Sequence, residues 1–132
     1  MSELITAVPL SKRVLWTGRV LSALPILLLL FSAVMKLMRL PAVVQGFAHY
    51  GYPESLIVVI GLLELACTII YAIPRTAMLG AILTTAYLGG ATATNVRVGD
   101  LSWIVTVILG VLVWAGLYAR DTRLRALLPL RN

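Results

Sequence analysis

The sequence predicts an all-α integral membrane protein: a four-helix bundle with both termini in the cytoplasm and a short interfacial helix between the first and second spans. Three observations lead there. Of 132 residues, 61% are hydrophobic and only 12% are charged. Residues 20–35, 76–96 and 101–119 contain no charged side chain, and residues 55–73 contain only Glu64. About 20 apolar residues suffice for a helix to cross a bilayer, whereas a water-soluble core of this size would alternate polar and apolar faces. The whole chain, residues 1–132, is expected to be one membrane domain with helices at about 14–36, 53–73, 76–96 and 101–119.

The first helix is expected to follow a basic lead of Lys12 and Arg13, with Trp16 and Arg19 suited to the membrane interface. A secretory leader would also start basic and continue apolar, but the small-x-small pattern around Ser32 and Ala33 is poor, so the segment is expected to remain. Pro25 removes one backbone donor and should bend this helix, a defect that membrane helices tolerate when neighbours satisfy the freed carbonyl. Residues 36–54 are too polar to span and too rich in Val, Phe and Tyr for a solvated loop. Pro41 can open a helix and Gly51 can close it, so residues 41–51 should lie on the membrane surface with Val43, Phe47 and Tyr50 on one side, as a lid.

The second helix is expected to start at Pro53, with Glu54 near its positive dipole end. Pro74 and Arg75 leave room for only a tight turn, which predicts an antiparallel hairpin with the third helix. That third segment is crowded with Gly80, Ala81, Thr84, Thr85, Gly89, Gly90 and Ala91. Small residues let helices approach closely and let Thr hydroxyls bond across or back to the backbone, so this helix is expected to be packed on most sides, Gly90 included. The fourth helix is bounded by Trp103 at one interface and by Trp114 and Tyr118 toward the other. The arginine-rich tail suits a membrane surface.

The eleven Lys and Arg residues set the orientation. Lys12, Arg13, Arg19, Arg75, Arg120, Arg123, Arg125 and Arg131 fall on one side, against Lys36, Arg39 and Arg97 on the other. The positive-inside rule then puts both termini in the cytoplasm of a multi-pass protein of the cell membrane, with the lid outside. The net charge of +6 therefore belongs to segment ends that meet anionic lipid, which argues against nucleic acid as a partner.

One stretch carries the candidate chemistry. At helical spacing Gly61, Glu64, Thr68 and Tyr71 share a face, with Cys67 beside them. A central acid costs about 3 kcal/mol on insertion, which roughly ten Leu, Ile and Val residues offset. No Lys or Arg is expected at its depth; Thr84, Thr85 and Tyr87 on the third helix reach the same level. Glu64 is accordingly expected to be a neutral hydrogen-bond donor, unless Lys36 or Arg97 reaches inward. A second group, including Lys36, His49, Tyr50, Asn95, Arg97 and Asp100, is expected at the outer face as the mouth of the site. His49 is the only histidine and Cys67 the only cysteine, so neither a His-based metal site within one chain, an internal disulfide nor a CxxC pair is available. No phosphate loop or catalytic triad appears.

The stretches FSAVMKLMRLP, FAHYGYP, GLLELACTIIYAIPR and YLGGATATNVRVGD resemble the DoxX-like family of small four-helix bacterial membrane proteins, over nearly the whole chain. The resemblance implies a four-helix bundle in the cytoplasmic membrane and carries over Lys36, Glu64 and Asn95. Some members are linked to quinone-dependent sulfur oxidation or membrane redox complexes. Similar sequences carry His where this chain has Asn95, a departure that weighs against a metal or haem site. The expected function is an accessory or binding subunit that is not catalytic on its own. It would hold a lipophilic small molecule, a quinone among the candidates, at Glu64, Lys36, Thr84, Tyr87, Asn95 and His49, beside a membrane redox partner protein. The rival readings are a small transporter or proton-conducting protein and a purely structural membrane subunit.

Overall fold

A computed structural model describes residues 12–121 and Leu124; the arginines beyond Arg120 lie outside these. Among the described residues the chain is helical without strands: α1 (Lys12–Leu37), α2 (Pro41–Tyr50), α3 (Leu56–Ala72), a 3-10 turn (Pro74–Thr76), α4 (Ala77–Arg97) and α5 (Trp103–Arg120). The four longer helices form a ring in which α1 packs on α3 and α5, and α4 packs on the same two from the opposite corner. α1 and α5 are each long and apolar enough to cross a membrane. Residues 56–72 and 74–97 meet that test as a pair, joined through a bend of 103°.

Each boundary has a local cause. Pro41 at the first turn of α2 lacks the N–H that would be unpaired there, and Gly51 (φ 79°) closes the helix by donating to the Ala48 carbonyl while Tyr52 donates to Phe47. The joint from α1 to α2 passes through Arg39 at φ 52°, a left-handed conformation unusual for a side chain with a Cβ. α3 begins at Leu56, three residues later than expected, because Glu54 and Ser55 form a turn after Pro53. Pro25 lies buried within α1, which continues past it without a break in helix.

Two contacts set the helix spacing. A Cβ on Gly80 would overlap the Tyr71 backbone, so α3 and α4 touch main chain to main chain beside their turn. At the crossing of α1 and α5, a Cβ on Gly18 would lie 2.9 Å from the Gly116 carbonyl oxygen, and one on Gly116 would lie 2.8 Å from the Ser22 nitrogen. Close approach through small residues is the usual way to gain contact where lipid supplies no hydrophobic drive. The Tyr71 ring fills the space these approaches leave. Its hydroxyl donates to the Val113 carbonyl (2.7 Å) and meets Ser22 Oγ (3.0 Å), which also accepts from Arg120 Nε (3.0 Å); the Arg120 guanidinium sits over the same ring.

The threonines of α4 behave as expected. Thr85 and Thr92 bond back to the Ala81 and Leu88 carbonyls, and Thr92 meets Thr106 of α5. The expectation that α4 is enclosed on most sides is wrong. Thr85, Ala86, Gly89 and Gly90 are exposed, and a Cβ on Gly89 or Gly90 would meet nothing within 4 Å. Small side chains allow close packing but do not require it; at Gly80 they serve it, and at Gly90 they leave a hollow.

Candidate functional site

Glu64 lies eight residues into α3, about 12 Å along it at 1.5 Å per residue, and is 3% exposed. Gly61 one turn above it lets α1 come close: a Cβ there would stand 3.0 Å from Lys36 Cβ. From that position the Lys36 stem runs down the gap, and its Nζ donates to Glu64 Oε1 (2.9 Å) and to Ser32 Oγ (2.6 Å). The expectation that no cation stands at the depth of Glu64 is therefore overturned, and with it the reason for expecting a neutral acid. Lys36 starts at the helix end, but its four-carbon stem carries the ammonium inward, the reverse of snorkelling. An unpaired carboxylate here would bear the full desolvation cost, and the ammonium offsets it.

The other expected partners divide. Tyr87 does face Glu64. Thr84 does not: its hydroxyl donates to the Cys67 carbonyl across the α3–α4 contact (3.4 Å), as Thr68 donates to the Glu64 carbonyl one turn back (2.7 Å). Both hydroxyls are committed to backbone carbonyls, Thr84 across the helix pair and Thr68 within α3, rather than to the carboxylate.

Above the ion pair lies a cavity of about 390 Å³, bounded by α3, α4 and the α2 segment. Lys36 of α1, Ile60 and Leu63 of α3 and Ala86, Tyr87, Gly90, Ala91, Thr94 and Asn95 of α4 line it, together with Phe47, Tyr50 and Tyr52 from α2 and the turn after it, which form its roof. This size falls within the range of small-molecule sites, about 300–1,000 Å³. The roof is tied down on α4. Tyr50 donates to Asn95 Oδ1 (2.8 Å), Tyr52 and Thr94 share a hydroxyl bond (2.6 Å), and Arg97 donates to the Tyr50 carbonyl while its guanidinium lies over the Tyr52 ring. Asn95 is buried, with its amide also donating to Ala91 (2.9 Å). Burial, chiefly, and the Asp100 charge raise the Tyr50 pKa, keeping the hydroxyl a donor.

His49 stands apart. Its side chain is 57% exposed, packs beside Tyr50, and reaches Asp100 Oδ2 at 4.0 Å without lining the cavity. The Ser102 backbone N–H, more than His49, lowers the Asp100 pKa. Thus Lys36, Tyr87 and Asn95 line one cavity, Glu64 anchors Lys36 from behind its wall, and Thr84 and His49 lie elsewhere. Missing from the sequence reading were Ser32, Tyr52, Thr94 and the flanking Leu63 and Ala86. The i, i+4 spacing of Ser32 and Lys36 was the one available signal that these two share a helix face.

Residues 20–116 match the family model described as the DoxX-like family. The chain belongs to the DoxX-like family. It is thereby a multi-pass membrane protein whose apolar helices imply a bilayer environment, and the match encloses the ion pair and the cavity. Neither the curated proteins nor the solved structures contain a match to it. Among the described residues, no group of three or more His, Cys, Asp or Glu is arranged to hold a metal.

Proposed function

We propose that this DoxX-like protein is a binding subunit that holds a lipophilic small molecule in the cavity above Lys36, with four membrane spans, both termini cytoplasmic and the roof segment on the outer face of the cell membrane. The observation that supports the reading best is the cavity itself. It joins aromatic and apolar walls to a few convergent polar groups, which is the usual make-up of a ligand site. A quinone fits that description, and an accessory role beside a membrane redox partner follows from the family resemblance. Proton conduction is less well supported, since Glu64 is held by Lys36, and the threonine hydroxyls of Thr68 and Thr84 are spent on backbone carbonyls.

The test is to purify the protein in mild detergent, extract it and identify retained small molecules by mass spectrometry, beside an Ala91→Trp variant that fills the cavity. Wild type should yield a lipophilic compound near one per chain, and Ala91→Trp should yield none while keeping its helical circular dichroism. Equal yields from both, or nothing from wild type, would sink the reading.

A further inference from the structure

The cavity has two boundaries of opposite kind, and they fix how it is filled and by what. Its roof is closed by three polar ties, from Tyr50 to Asn95, Tyr52 to Thr94 and Arg97 to the Tyr50 carbonyl. Its flank between α3 and α4 is edged by Leu63, Ala86 and Gly90, all of them exposed. Leu63 is 55% exposed, and a Cβ on Gly90 would meet nothing within 4 Å. In the membrane arrangement proposed above this apolar flank meets lipid, so the cavity opens there onto the bilayer rather than onto water.

The base carries the second constraint. A Lys ammonium has three N–H donors; here one goes to Ser32 and one to Glu64, and Lys36 itself lines the cavity, so one donor remains for an occupant. The positive charge does not remain, because Glu64 neutralises it at 2.9 Å from behind the wall. Such a base offers a strong hydrogen bond without net charge. A carboxylate or phosphate head would bring a second, uncompensated negative charge into a low-dielectric site beside Glu64, and lose its hydration to do so. A neutral oxygen acceptor would lose far less.

We infer that the cavity is filled sideways from the bilayer through the Leu63–Ala86–Gly90 gap. Its occupant is an amphiphile with an uncharged, oxygen-bearing head that accepts from Lys36 and an apolar tail that trails through the gap into lipid. This deepens the binding reading above and rests on it. Gly90 and Leu63 are then determinants of access, and the Lys36–Glu64 pair is a charge filter.

The experiment uses two probes with the same hydrocarbon chain, monooleoylglycerol (uncharged) and oleate (anionic), added to the full chain in phosphatidylcholine nanodiscs and counted by native mass spectrometry. Wild type should retain monooleoylglycerol with about a tenfold or greater preference over oleate, the least that an uncompensated charge in the membrane should produce. Gly90→Trp, placed where nothing stands in the way, should keep its melting profile and lose both probes. Glu64→Gln, which frees the Lys36 charge, should move the preference toward oleate. Equal retention of the two probes by wild type, or unchanged retention in a folded Gly90→Trp, would overturn the inference while leaving a ligand site in place. Should wild type bind neither probe and carry no ligand of its own, the binding reading falls and takes this inference with it. If Glu64→Gln does not fold, the probe preference of wild type and the Gly90→Trp result still decide.

Discussion

At the scale of single residues, the site depends on where a missing Cβ matters. Gly80 and Gly90 belong to the same small-residue run, yet one stands against the Tyr71 backbone and the other faces open space. Gly80→Ala forces main chain apart, and overpacking of this kind costs about 1–3 kcal/mol. Gly90→Ala should instead stabilise by about 0.5–1 kcal/mol through helix propensity. Thermal melting in detergent should therefore move in opposite directions for the two variants; a loss of stability in both would return Gly90 to a packed interface. The same logic explains Lys36. It reaches Glu64 because Gly61 admits the α1 backbone, so the ion pair is a consequence of a glycine three residues away.

At the scale of elements, α2 is a roof held more by side-chain ties than by packing. Phe47 is its buried anchor, and the hydroxyls of Tyr50 and of Tyr52 just beyond it bond to α4. Each such bond contributes about 0.5–1.5 kcal/mol, so Tyr50→Phe combined with Tyr52→Phe should speed amide hydrogen exchange in residues 41–50 and leave α3 unchanged. Unchanged exchange in both would mean that Phe47 alone fixes the roof. The α2 helix was legible in advance because Pro41 and Gly51 are local signals with fixed backbone consequences. The ties were not, because they depend on Tyr50 and Tyr52 meeting a helix more than forty residues later in the chain.

For the whole molecule, the proposed orientation rests on the surplus of Lys and Arg at one set of helix ends. Reporter fusions after Asn132 should be active only in the cytoplasm and fusions near His49 only outside; the reverse pair would invert the membrane face on which the roof lies. Composition and periodicity sufficed for the helices, since apolar length is a property of a segment by itself. The buried face of Gly61, Glu64, Thr68 and Tyr71 was legible for the same reason, because 3.6-residue spacing fixes it within one helix. The partner of Glu64 was not. Which α1 residue stands at its level depends on the register of α1 against α3, and the intervening α2 segment hides that register from any count along the chain. The Tyr71, Ser22 and Arg120 cluster escaped notice for an allied reason: three helices contribute to it, and none carries a signal alone.

Both the proposed ligand site and its charge selectivity require that Lys36 and Glu64 form an ion pair at the base of the cavity. Infrared difference spectra between wild type and Glu64→Gln at pH 7 test this most directly. An ionised pair predicts that the substitution removes a carboxylate stretching band. Loss of a protonated carboxylic-acid carbonyl band instead would show a neutral Glu64 and contradict the account at its base.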